Sequence, residues 1–157
     1  MRWFFLLCMV VALMQAPAFA YSGKVVSVDE GDAITVLHDN KKKRVRLYGI
    51  DAPEPRQSYG KKAKEFLGSF VKGERVDIEP KKADKNGRTM GIVSLGGDNI
   101  NELMVVNGQA WVHRPSCKED FCEKWVKMEE AAKATRAGLW SEPGAVPPWE
   151  FRRAGKR

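Results

Sequence analysis

Between Lys24 and Leu95 the apolar residues fall into short runs that alternate with polar ones. Lys24 to Val28, Ala33 to His38 and Arg44 to Ile50 read as three strands, with the turn-forming Asp29-Glu30-Gly31-Asp32 and Asp39-Asn40 between them. The period lengthens after Ser58. Ala63, Phe66, Leu67, Phe70 and Val71 fall at i, i+3, i+4, i+7 and i+8, one face of a helix closed by Gly73. Val76 and Ile78 alternate with Arg75, Asp77 and Glu79 as a fourth strand; Met90 to Leu95 makes a fifth, with Asn86-Gly87 near the turn between them. Ile100, Leu103 and Met104, ending at Asn107-Gly108, predict a short second helix. Trp125, Met128 and Ala132 predict a third that stops at Gly138, and Ser116 with Glu119 is spaced as a capping box near its start. From Ser141 onward the chain is proline-rich and basic, and Pro147-Pro148 cannot continue a helix, so this stretch reads as a tail.

A chain of 157 residues that is 43% hydrophobic supports one core. With 30% charged and 10% aromatic residues it is neither a disordered chain nor a disulfide-dense miniprotein. The net charge of +7 favours polyanionic partners: nucleic acid, anionic membrane or acidic polymer. Arg2, the apolar run Trp3 to Met14 and Ala18-Phe19-Ala20 read as a signal peptide over Met1 to Ala20, since a membrane span needs about 20 apolar residues. The mature chain from Tyr21 loses one base and no acid, stays basic, and is expected in the periplasm or secreted, without membrane insertion. It keeps two cysteines, Cys117 and Cys122. A zinc site with His113 competes with a disulfide, but it lacks a fourth ligand and an oxidising compartment favours the bridge.

Three carboxylates stand out by position: Asp32 at the first hairpin, Asp51 after the third strand, and Glu54 in the turn Asp51-Ala52-Pro53-Glu54-Pro55. Singly, each reads as a turn residue that caps backbone donors or faces solvent. Together, two carboxylates on neighbouring strand ends and a backbone carbonyl in a stiff turn make a minimal calcium or magnesium site. Arg46 projects from a strand five residues before Asp51, and Arg88 follows Asn86-Gly87. Two arginines beside a metal can clamp a phosphodiester and offset the charge that develops during attack. Lys41-Lys42-Lys43-Arg44 is placed in a hairpin turn as a solvated basic patch.

These residues resemble the staphylococcal nuclease (thermonuclease) family from Lys24 to Trp140. The motifs are Glu30-Gly31-Asp32, Arg46-Leu47-Tyr48-Gly49-Ile50-Asp51-Ala52-Pro53-Glu54, Asp84-Lys85-Asn86-Gly87-Arg88, Asn101-Glu102-Leu103 with Gly108 and Ala110, and Gly138-Leu139-Trp140. Pro147-Pro148-Trp149-Glu150-Phe151-Arg152 is similar to the tail of exported bacterial members. The resemblance implies an α+β, mainly β fold: a five-stranded OB-type β-barrel with three helices over residues 21–140, followed by a tail over 141–157. It implies Ca2+ held by Asp32, Asp51 and the Ala52 carbonyl, with Glu54 acting on the attacking water. Arg46 and Arg88 would bind the scissile phosphate, and Lys85 would bind substrate. The implied activity is hydrolysis of DNA and RNA, single-stranded or locally open, to 3′-phosphate products by a monomer. Asn86 and the segment His113-Arg114 stand where the family often has nucleotide-stacking aromatics, so base stacking is expected to differ.

Two other readings use the same surface. A catalytically inactive OB module could bind single-stranded nucleic acid, and an envelope protein could use the tail bases Arg152, Arg153, Lys156 and Arg157 on anionic partners. The nuclease reading expects a chain ending after Trp140 largely to keep its activity.

Overall fold

The computed structural model describes residues 21–155; the signal peptide read over Met1 to Ala20 lies outside the described residues. Strands β1 (Tyr21–Glu30), β2 (Ala33–His38) and β3 (Lys41–Leu47) form the expected antiparallel meander. β4 (Ile50–Asp51) is a two-residue strand, and α1 (Gly60–Val71) leads into β5 (Arg75–Ala83) and β6 (Thr89–Leu95). β5 pairs antiparallel with β1 and with β6. The parallel pairing of β3 with β6, Val45 opposite Thr89, then closes five strands into an OB-type barrel. The short β7 (Asp98–Asn99) extends β6 and opens α2 (Ile100–Val106). β8 (Trp111–Val112) pairs with β4, and α3 (Phe121–Ala134), one 3-10 turn (Gly138–Ser141) and α4 (Pro148–Ala154) complete the chain.

The strands place Ile34, Val36, Val45, Leu47, Val76, Ile78 and Val93 in one core, where branched side chains pack well on a pleated surface. On α1 the buried stripe is Ala63, Leu67 and Val71; Phe66 is partly buried, and Phe70 of the expected apolar face is 40% exposed. Trp125 of α3 is fully buried against this core.

Several expectations are corrected. The third strand stops at Leu47, because Gly49 takes a φ of +76° and turns the chain before β4. Tyr48 and Ile50 therefore go into the core instead of continuing the face of Arg44 and Arg46. The basic run from Lys41 lies in β3 itself; the hairpin turn is Asp39-Asn40, both at positive φ. Ser116 does not cap α3, which starts after Asp120 without a side-chain cap; its Oγ donates to the His113 carbonyl at 3.1 Å. There are four α-helices among the described residues instead of three, because Pro148 starts a helix at a position where its missing N–H costs nothing. Cys117 and Cys122 form the expected disulfide, which consumes both thiols of the competing zinc site.

Candidate active site

The turn at Tyr48-Gly49 folds β4 back beside β3, so that Arg46 reaches both neighbouring aspartates. Its Nη2 lies 3.0 Å from Asp32 Oδ2 and 2.8 Å from Asp51 Oδ1. The three groups come from separate strand ends whose register is pinned by backbone bonds. Leu47 N donates to Asp32 O at 2.8 Å, Tyr48 N to Gly91 O at 2.8 Å, and His113 N to Gly49 O at 2.9 Å. Asp32 and Asp51 are both almost wholly buried, at 2% and 3% exposure. Burial pushes the Asp32 carboxyl up from its ordinary 3.8 to about 6, against the pull of Arg46. Burial acts to lower the Arg46 guanidinium, but Asp32 and Asp51 outweigh it and raise its pKa.

Glu54 stands at the other side of Asp51 in a turn fixed by close contact. Its backbone N donates to Gln57 Oε1 at 3.1 Å, and its carbonyl accepts from Gln57 N at 2.8 Å. A Cβ on Gly60 would lie 1.9 Å from the Glu54 carbonyl oxygen, so only glycine lets α1 start there without moving the turn. The Glu54 carboxylate meets Arg152 of α4, whose Nη1 lies 2.6 Å from Oε1. Arg152 Nη2 also lies 2.6 Å from Asp51 Oδ2. The result is an alternating array of Asp32, Arg46, Asp51, Arg152 and Glu54. The tail is thus part of this site, and Arg152 is not available as a free surface charge.

Arg88 and Lys85 lie apart from the array. Arg88 sits in the β5–β6 turn, where its Nε is 2.6 Å from Asp84 Oδ2. Asp84 Oδ1 accepts from the backbone N of Asn86 at 2.8 Å and of Arg88 at 2.9 Å, which builds the turn. Desolvation is the largest single influence and pushes the Asp84 carboxyl up, but the bonds from Arg88 and Asn86 together outweigh it and hold the group below its ordinary range. Lys85 is exposed on the same turn.

Sequence reasoning missed Gln57, Gly60 and Asn101 as supports of the site, and Arg152 as a member. Asn101 is fully buried, donates to Tyr48 O at 3.0 Å and Gly91 O at 3.1 Å, and accepts from Val93 N at 3.0 Å. It ties β6 to the turn before β4. An asparagine among Ile100, Leu103 and Met104 is a legible signal of such a tie, since a buried amide needs partners. The Arg152 contacts span 98 and 101 positions, and nothing local marks them.

The residues present fit a hard divalent cation. Two buried carboxylate oxygens converge on one point, now taken by a guanidinium nitrogen, and the cost of burying Asp32 is what a bound cation would offset. Ala52 follows directly, its N donating to Asp32 Oδ2 at 3.2 Å. Among the described residues no three His, Cys, Asp or Glu side chains converge as a metal-ligand group, and Glu54 is paired with Arg152. Beside the array lies a cavity of about 220 Å³, edged by Arg46, Asp51, Lys82, His113 and Arg152. Arg46 Nε is buried without a hydrogen-bond partner, a donor an anionic oxygen would satisfy. Burial holds His113 below its usual range, partly countered by Asp51 and reinforced by Arg46, Arg152 and Lys82.

Comparison with known proteins identifies the family. Residues 44–142 match the staphylococcal nuclease homologue family. The chain is 39% identical to a micrococcal nuclease of Shigella flexneri, over 94% of this chain and 90% of that protein. It is 39% identical to Protein ParB of Escherichia coli over 91% of this chain and 86% of that protein. It is also 36% identical to an uncharacterized endonuclease of Escherichia coli, over 83% and 84%. With a barrel of the same type beneath the matched segment, the chain belongs to the staphylococcal nuclease family.

Proposed function

We propose that the protein is an exported, calcium-dependent nuclease that hydrolyses single-stranded or locally open DNA and RNA to 3′-phosphate products, acting as a monomer. One observation carries this reading: two buried aspartates converge beside an arginine whose Nε is an unpartnered donor, at the edge of a cationic cavity. Asp32, Asp51 and the Ala52 carbonyl would hold the cation. When bound, it neutralises phosphate charge and polarises the P–O bond.

Arg46 donates through Nε to a non-bridging oxygen of the scissile phosphate and fixes it beside Asp51. Glu54, freed from Arg152, accepts a proton from the attacking water as the new O–P bond forms. Arg88 leaves Asp84 to meet the charge that builds on the phosphoryl oxygens. The bond from phosphorus to the 5′ oxygen breaks, and that oxygen leaves as an alkoxide that takes a proton from solvent water to become the 5′ hydroxyl. Lys85 and the basic face hold the flanking strand.

The test is digestion of single-stranded DNA by the chain from Tyr21, in calcium and in excess chelator, beside Glu54→Ala. Cleavage should require calcium, and the substitution should slow it at least about a hundredfold. Binding without cleavage across several divalent ions would replace this reading with a non-catalytic OB module.

A further inference from the structure

Arg152 adds a third guanidinium to Arg46 and Arg88, one more than a two-arginine phosphodiester site requires. Arg152 contacts Asp51 through both nitrogens, Nη2 at 2.6 Å from Oδ2 and Nη1 at 3.2 Å from Oδ1, and Glu54 through Nη1 at 2.6 Å. Those are the carboxylates assigned to the cation and the water, so neither can take up its task while Arg152 holds it. Asp51 is buried between two guanidinia, so withdrawing Arg152 favours another cation in its place. The helix bearing Arg152 is held independently of that contact. Pro148 is buried, the Trp149 ring packs 5.5 Å from His113, Gln57 Nε2 donates to the Val146 carbonyl, and Ser58 Oγ to Glu142. The side chain can therefore swing while α4 stays docked.

We propose that Arg152 is a further active-site residue with two successive partners. In the cation-free protein it neutralises Asp51 and Glu54; the divalent cation, entering between Asp32 and Asp51 where Arg46 Nη2 now lies, displaces Arg152 from Asp51 as well, and its guanidinium then takes a substrate phosphate at the cavity shared with Arg46 and Lys82. This rests on the nuclease reading of the carboxylates. A side chain that only tied the tail down would harm cation and substrate binding alike, whereas an exchanged counter-charge moves them in opposite directions.

The test uses the Tyr21–Arg157 chain as wild type, Arg152→Gln and Arg152→Lys, with calcium affinity read by calorimetry and KM for single-stranded DNA at saturating calcium. Arg152→Gln should bind calcium at least about tenfold tighter, since a competing positive charge is gone, and raise KM at least about tenfold. Arg152→Lys, which keeps the charge but not the fork, should fall between and carries the test if the Gln variant does not fold. Unchanged or weaker calcium binding in folded variants overturns the exchange and leaves the nuclease reading standing. Tighter calcium binding with an unchanged KM overturns the phosphate contact. Absence of calcium binding in all three, wild type included, overturns this inference and the calcium reading together.

Discussion

Arg46 and Arg88 carry the same expected task, yet the fold keeps them in opposite conditions. Arg46 lies in a barrel strand between two buried aspartates, and β2, β3 and β4 fix all three groups at once. Arg88 lies in an exposed turn that Asp84 builds, and its hydrogen bonds and ion pair are with Asp84. One region is assembled by long-range pairing and is in place before any ligand arrives. The other is assembled within five residues and has to move to take part.

The sharpest way to break this contrast is to remove each arginine. Arg46→Ala and Arg88→Ala should each lower turnover at least about a hundredfold, as both would meet transition-state charge. They should part in stability. Without Arg46 the buried Asp32 loses its paired cation and faces Asp51, so that variant should melt lower in chelator and recover in calcium. Arg88→Ala should melt as wild type does in either condition. Kinetics and thermal melts of the two purified variants check both halves. Near-wild-type turnover in folded Arg46→Ala removes its assigned role, and equal melting behaviour dissolves the distinction between centre and turn.

How far each region could be read in the sequence follows the same division. The β5–β6 turn is local, so Asn86-Gly87 and its neighbours announce it, including the Arg88 that it presents. The barrel strands and α1 are legible from their periods because one face of each is buried. At Asp51 local reading fails in its geometry: a strand continued through Ile50 would carry the aspartate away from Arg46. The positive φ of Gly49 returns it to within 2.8 Å. At the tail it fails outright, since Pro147-Pro148 forbids continuing a helix but not starting one. The contacts that dock Arg152 are set by the assembled barrel.

The two regions also hold aspartates displaced in opposite directions, which gives an intermediate effect. Asp32 is raised to about 6, so the folded state binds its proton more tightly than the unfolded chain does. Its share of stability is full below the ordinary carboxylate pKa of 3.8 and is lost as pH rises through about 6. At pH 7 in chelator the ionised group therefore weakens the fold. Asp32→Asn should be more stable there by up to about 3 kcal/mol, with the gap closing as pH falls from about 6 toward 4. Denaturant melts of both proteins at several pH values measure this. A variant less stable at pH 7 than wild type would mean that the ion pair with Arg46 outweighs the cost of burial.

Asp84 should behave in the reverse sense and with the smallest effect. Its carboxyl is held below the ordinary range, so whatever it adds to stability is present above that range and is lost as pH falls through its own lowered pKa. For catalysis its two bonding roles oppose each other. Asp84→Ala loses the backbone bonds that shape the turn, which costs position, and releases Arg88 Nε, which makes the guanidinium available. The net expectation is a loss of turnover of about threefold, a small part of the arginine's own effect. Single-turnover cleavage of single-stranded DNA in calcium resolves a change of that size. A gain would show that Asp84 restrains Arg88 more than it places it, and a hundredfold loss would make the turn as demanding of geometry as the buried centre.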